Sequence, residues 1–485
     1  PGTIGDDGVF LGSPTYWLPR IGDRFVTFSM EIDVPPGWEA VSEGRRTVLP
    51  SDDGRTRLRF EESNPVEEVH VVAGEWTVYE DHAGRIATYV YLREPDDGLA
   101  RTFLDTGAQY LAMYEGLLGP YPFDKFAVVE NFWETGYGMA SFTLLGPRVI
   151  RFPFILHSSF PHEILHDWWG NGAYVDWERG TWCEGLTAYL ADHLIKEQRG
   201  QGAAYRRDLL QKYADYVGDG LDFPLTEFRS RHSSATQAVG YGKTAMLFHM
   251  LRAKIGDDAF VEGLRGFWKE QRFRVASWDD LRAAFETASG ADLAGFFVTW
   301  TERTGAPALR LDRATIVAAG PDRFELSAAV SQVQDGEPFP IDVPIVVTLA
   351  SGEVVRTTRA MSDAELAFDG SFPSEPVHVA VDPSFDLFRR LDLAEIPPSF
   401  GRAFGAERVT VVLPSDGGPL ADGYAELASG WAKTGAGEVE VVRDADLDAL
   451  PADRAVWVFG AGNRFRDAVA EADAPFGGAL GAAGW

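Results

Sequence analysis

Between residues 25 and 34 the apolar residues Val26, Phe28, Met30, Ile32 and Val34 alternate with Thr27, Ser29, Glu31 and Asp33. A period of two predicts a half-buried strand. Further strands are predicted over residues 56–61, 69–79 and 85–92, divided by turn-rich stretches such as Pro50-Ser51-Asp52-Asp53-Gly54, so residues 1–84 read as an N-terminal β domain. Around Thr102 the period lengthens: Phe103, Ala108, Leu111, Met113, Leu117 and Leu118 follow helical spacing, and similar patterns recur as far as Trp300, which predicts a mostly helical domain over 85–304. Alternation returns at 324–330, 343–349 and 377–381, with Gly, Pro and Asp at the turns, predicting a β-sandwich domain over 305–398. The remainder, 399–485, reads strand (409–413), helix (420–433), strand (439–442), strand (455–459) and helix (465–472), an α/β module. The predicted fold class is multidomain α+β.

A chain of 485 residues exceeds one ordinary domain, in keeping with that division. Its 44 Lys+Arg against 73 Asp+Glu leave a net charge of −29, which repels phosphate backbones and anionic lipid, so neither nucleic acid nor a membrane surface is an expected partner. A single cysteine, Cys183, rules out an internal disulfide and leaves the compartment open. No apolar run approaches the roughly 18 residues of a membrane span, and Pro1-Gly2-Thr3-Ile4-Gly5-Asp6-Asp7 lacks the basic and apolar regions of a signal peptide. The chain starts without Met and stops at Gly484-Trp485, so processed or incomplete ends are expected; localisation and oligomeric state are not read from it.

The run that carries chemistry is Ser158-Ser159-Phe160-Pro161-His162-Glu163-Ile164-Leu165-His166-Asp167-Trp168-Trp169-Gly170-Asn171. A serine cap, Pro161 in the first turn and a Gly170-Asn171 stop predict a helix that places His162 and His166 on one face. Glu163 can then reach a water at a shared metal without ligating it, the arrangement of H-E-x-x-H zinc peptidases. Catalytic zinc takes three protein donors. The metzincin pattern needs Gly at 169 and His at 172, but those positions hold Trp169 and Gly172, which excludes that class. In Trp182-Cys183-Glu184-Gly185-Leu186-Thr187-Ala188-Tyr189-Leu190 the helical spacing of Trp182, Leu186, Tyr189 and Leu190 predicts a second packed helix able to present Glu184, with Asp192 the reserve donor. The competing reading of Glu184 is a solvated carboxylate at a helix start.

With these residues in view, the chain resembles the aminopeptidase N-like gluzincins, the zinc peptidase family that also includes the leukotriene hydrolases. The likeness is carried by residues 162–171, Trp182-Cys183-Glu184-Gly185, Gly138-Met139-Ala140-Ser141 and Tyr241-Gly242-Lys243, and it implies a thermolysin-like helical catalytic domain holding one zinc. Glu184 follows His166 one position sooner than the family's third ligand usually does, so one residue is read as deleted from the loop 172–181. The resemblance implies that Tyr241 stabilises the oxyanion of the tetrahedral intermediate; without it, Met246, Leu247, Met250 and Leu251 at helical spacing would make Tyr241 a core residue. It also implies that residues 136–141 bind an extended peptide as an added strand, with Gly138, Met139 and Ala140 at the substrate. The family's Gly-x-Met-Glu-Asn holds the substrate α-amino group with its glutamate. Ala140 stands in that place, so this is a divergent member without the amine-binding Glu, and Glu130 and Glu134 are candidate substitutes, Glu134 first.

Two weaker signals are read structurally. Gly460-Ala461-Gly462-Asn463 lacks a third glycine and a Lys-Ser/Thr pair, so it reads as an ordinary βα turn. Asp444-Ala445-Asp446-Leu447-Asp448 lacks the Gly and distant Glu of a calcium loop and reads as a solvated loop. The expectation is a zinc-dependent metallopeptidase acting on a peptide or protein through a metal-activated water, with Glu163 as general base and His162, His166 and Glu184 as ligands. The alternative is a non-catalytic peptide-binding or scaffold protein that retains the fold and the zinc. An epoxide hydrolase of the leukotriene type would use the same metal site.

Overall fold

The computed structural model describes residues 2–19, 25–218, 220–416, 418–434 and 437–473; the Ala/Gly-rich end at Gly484-Trp485 lies outside them. The chain divides into two compact units, Pro1–Gly202 with Leu251–Val298, and Ala203–Met250 with Thr299–Trp485. The unit boundaries therefore differ from the four-part division predicted from the sequence.

The first unit contains three larger sheets. Thr3–Gly5, Gly8–Leu11, Val71–Glu75 and Trp38–Val41 form one, and Val26–Val34, Thr56–Val66 and Arg45–Leu49 form a second. The third has five strands in the order Gly136–Met139, Phe142–Leu145, Lys125–Glu130, Ile86–Leu92, Thr77–Ala83. Residues 69–79, predicted as one strand, are two. Val71–Glu75 pairs in the first sheet and Thr77–Ala83 in the third, while Trp76 at the crossing is buried and its indole N–H donates to the Glu130 carbonyl at 2.8 Å. The boundary drawn at 84/85 falls in the turn between two neighbouring strands of the third sheet.

Two further strands of this sheet, Lys125–Glu130 and Phe142–Leu145, are buried throughout. A strand covered on both faces loses its alternation, which is why these two were not read as strands within a region predicted mostly helical. The helix Asp97–Leu118 begins where the Asp96 carboxylate accepts the Leu99 N–H at 2.9 Å, and it buries Phe103, Leu111, Tyr114 and Leu118. Its register with the next helix brings Phe103 edge-on to Phe160, with ring centroids 5.0 Å apart, anchoring the segment that carries the histidines.

The second unit contains two three-stranded antiparallel sheets, Leu309–Gly320/Arg323–Gln332/Glu365–Phe372 and Val354–Met361/Ile341–Leu349/Pro376–Val381. Its last part is a parallel sheet in the order Glu438–Arg443, Arg408–Leu413, Ala455–Val458, with helices Ala421–Thr434 and Arg466–Asp473, close to the bounds read from the sequence. The solvated-loop reading of Asp444 is corrected: its side chain is buried and accepts the Ser415 and Arg464 backbone N–H groups at 2.8 and 2.9 Å. Asn463 is likewise a buried bracket, donating to the Val412 carbonyl at 3.0 Å.

Candidate metal centre

The helix Ser159–Leu165 has Pro161 in its first turn as predicted, but Ser158 does not cap it through its hydroxyl, which donates instead to the Phe154 carbonyl at 3.0 Å. His166 closes the last turn, its N–H on the His162 carbonyl at 3.2 Å, and the two imidazole centroids lie 4.8 Å apart. The chain then breaks away at Gly170, with φ of +101°. At Gly172 a methyl group would sit 2.4 Å from the Asp167 carbonyl oxygen and 2.7 Å from the Trp268 ring, so only glycine fits this return. Trp168, Trp169 and Trp182 are fully buried behind the helix. Trp168 packs on Tyr121 at 5.2 Å, and Trp169 on Phe267 at 5.7 Å and Trp182 at 6.2 Å. Such aromatic packing fixes the helix by its apolar face and leaves His162, Glu163 and His166 half-buried on the other.

Glu184 lies on the helix Cys183–Ala188, which runs into a π-helical turn, Tyr189–His193. One α turn of about 3.6 residues plus one π turn of about 4.4 spans roughly eight residues, so Asp192 lies on the same face as Glu184. A helical wheel of period 3.6 cannot show this. Both carboxylates reach the histidines. Glu184 Oε2 is 3.4 Å from His162 Nε2 and 3.6 Å from His166 Nε2, and Asp192 Oδ2 is 3.1 Å from His162 Nδ1. His166 Nδ1 meets the Trp169 carbonyl at 3.1 Å.

These donors fit a small tetrahedral cation. Ligands about 2.0–2.1 Å from a tetrahedral zinc stand about 3.3–3.4 Å from one another, and the donor atoms of His162, His166 and Glu184 all lie within 4.8 Å of one another, the Glu184 pairs at 3.4 and 3.6 Å. Each outer imidazole nitrogen has an acceptor, which directs each Nε2 lone pair inward. The electrostatics ask for positive charge at the same point. Burial disfavours the His162 imidazolium, but the hydrogen bonds of Asp192 and Glu184 overcome it and push the pKa up to about 9. Burial also opposes the Glu184 carboxylate, yet the charge of His166 and bonds to both rings hold it well below the carboxylate range. Replacing Asp192 by Asn keeps an oxygen for the His162 N–H but removes the charge. Zinc affinity of D192N, measured by chelator competition, is expected to fall about tenfold to a hundredfold; an unchanged affinity would remove Asp192 from the site.

Glu163 faces the strand Gly136–Met139. A methyl group at Gly138 would lie 2.6 Å from Glu163 Oε2 and 3.5 Å from His166 Cβ, so the strand backbone passes directly over the carboxylate. Behind it is a buried network that the sequence reading missed. Asp167 accepts the Ser141 N–H at 2.8 Å and the Tyr121 hydroxyl at 2.7 Å, and Lys125 Nζ donates to Ser141 Oγ at 2.7 Å. Ser141, with φ of +70°, closes the two-residue turn between Met139 and Phe142, which are paired across the hairpin. The network thus ties the hairpin to the residue after His166. A charged residue directly following the motif, and Lys125 just ahead of an apolar run, are its only traces in the sequence.

Gly138, Met139 and Ala140 line a cavity of about 690 Å³ together with Phe10, Trp133 and Tyr174. Glu134 is not among its lining residues. Its carboxylate accepts the Arg148 N–H at 3.1 Å, and Glu130 is buried against Arg151 and the Arg93 N–H. Tyr241 belongs to the second unit, in the π-helical turn Ala238–Lys243, with its ring 6.1 Å from Phe228 and 5.9 Å from the Arg231 guanidinium carbon.

Residues 157–300 match the model of the peptidase family M1 domain. The chain is similar to the alanine/arginine aminopeptidase of Saccharomyces cerevisiae, 21% identical over 383 residues that cover 73% of this chain and 42% of that protein. It is also similar to aminopeptidase N of Lactococcus lactis, 26% identical over 155 residues covering 30% of this chain and 18% of that one. The chain thus spans less than half the length of these curated relatives. Among solved structures, Legionella pneumophila aminopeptidase A in complex with aspartic acid aligns over 83% of this chain and 49% of its own, with a TM-score of 0.60 at 18% identity, a likeness of fold. The matched residues contain the histidine pair, Glu163 and Glu184, so the segment that carries the candidate metal centre is the one similar to the peptidase family M1 domain.

Proposed function

We propose that this protein is a zinc-dependent metallopeptidase. The observation that carries the reading is the convergence of two imidazole nitrogens and the Glu184 carboxylate, with a further carboxylate, Glu163, lying between that point and an outer β-strand. Zinc held by His162, His166 and Glu184 would act as a Lewis acid toward the scissile carbonyl and lower the pKa of water. Glu163 is the general base. It takes a proton from the attacking water at a carboxylate oxygen and returns it to the amine as the carbon–nitrogen bond breaks. Water is thereby divided between the two products, with no other reactant. The peptide N–H and C=O groups of residues 136–139 bind the substrate backbone as a neighbouring strand would.

Chelation of the purified protein is expected to abolish hydrolysis of peptides, and added zinc to restore it. Full activity in protein shown by elemental analysis to be metal-free would overturn the reading.

A further inference from the structure

The strand Gly136–Met139 is the outer member of its sheet, bonded to Phe142–Leu145 on one side. Glu163 meets this strand at Gly138, inside it and not at its end. In one direction the strand runs through Tyr137, which is 49% exposed and also lines the 690 Å³ cavity, to the exposed Gly136. In the other it passes Met139 and reaches the hairpin turn at Ala140, both of which line the same cavity with Phe10, Val66 and His70. A cavity of that size is in the range that encloses a drug-sized ligand, so a short stretch of peptide fits beyond the reacting position. At the turn, on the cavity lining, Ala140 offers a methyl group. Of the carboxylates farther in, Glu43 is 1% exposed and is taken up by His70: one oxygen is 2.6 Å from Nδ1 and the other accepts the His70 backbone N–H at 2.9 Å. Glu68 lies 3.1 Å from the other ring nitrogen of His70, and Glu67 is the third carboxylate of the lining.

A peptide laid along this edge therefore has room for residues on both sides of the bond that faces Glu163. We propose that the substrate is threaded through the site, with enzyme-bound residues both before and after the scissile bond. Its class is then internal or N-terminally blocked peptide segments, not free chain ends. This inference rests on the metallopeptidase reading above and names its substrate.

The test uses the zinc-loaded full chain and one peptide sequence made twice, with a free and with an acetylated N-terminus. A carboxylate anchoring the ammonium would favour the free form by more than about tenfold, the worth of one hydrogen bond to a charged group. The two kcat/KM values are expected to agree within about tenfold, with mass spectrometry showing cuts inside the chain. A larger advantage for the free amine, or stepwise release of single N-terminal residues, would overturn threading alone and direct attention to Glu67 and Glu68. Cleavage of neither peptide by zinc-loaded protein would overturn the metallopeptidase reading, and threading with it. As a second measurement, Ala140→Trp fills part of the cavity beside the strand and is expected to lower kcat/KM for the blocked peptide at least about tenfold with zinc content unchanged. An unaltered rate would show that the peptide does not pass Ala140.

Discussion

Glu163→Gln is expected to fold, to retain zinc and to lose about three orders of magnitude in kcat, within the range attributed to a well-placed general base. The amide has nearly the size and shape of the carboxylate, so the close approach of Gly138, where even a methyl group would stand 2.6 Å from Oε2, is preserved. What disappears is the capacity to take a proton. Glu163 is not among the clustered metal donors, so the loss belongs in turnover and not in metal content. Substrate affinity should change little, because the strand Gly136–Met139 binds through its backbone. Steady-state kinetics with elemental analysis of the same preparation distinguish the outcomes. A variant as active as the parent would remove Glu163 from the chemistry, and one that loses zinc would make it a ligand.

The ligand helix was legible because its signals are local. Two histidines four apart, a proline near the start and a glycine at the end leave little choice of conformation, and the helix Ser159–Leu165 with its break at Gly170 follows them. The α/β module was legible for a similar reason, since its strands and helices are short, strongly patterned and separated by turn residues. Most of what escaped depends on residues distant in the chain. Lys125–Glu130 is buried on both faces, so it carries no period of two. The switch between sheets at Trp76 is set by a bond to Glu130, 54 residues away. The alignment of Asp192 with Glu184 needs a π turn, to which the period-3.6 reading is blind. Glu134 had the right charge and lay near the substrate strand in sequence, yet the turn at 146–148 claims its carboxylate. For Tyr241 the two readings differ: the oxyanion role rests on family resemblance, whereas residue spacing alone makes it a core side chain.

Glu184→Ala is expected to cost the protein its metal. Structural zinc sites in small peptides bind with roughly 10–16 kcal/mol, which over four donors is about 2.5–4 kcal/mol each. Removing one donor should therefore weaken zinc about a hundredfold to a thousandfold. The loss here is not made up by a neighbour. Asp192 is held at the outer nitrogen of His162, 3.1 Å from Nδ1, so ligating through its own oxygen would take away the acceptor that orients that ring. Cys183 stands at the outer nitrogen of the other ring, its thiol 3.5 Å from His166 Nδ1 and on the Trp169 carbonyl at 3.1 Å. The helix itself should survive, because Trp182 and Leu186 on either side of Glu184 are fully buried and the Trp182 indole N–H holds the Ala276 carbonyl at 2.9 Å. The variant should thus keep its circular dichroism spectrum while zinc dissociates at chelator concentrations the parent withstands. Glu184→Asp shortens the reach by one methylene and should recover part of the affinity, which separates a lost ligand from a damaged fold. If Glu184→Ala binds zinc as tightly as the parent, the third bond comes from another residue, and the shortened spacing after His166 reflects a different ligand set.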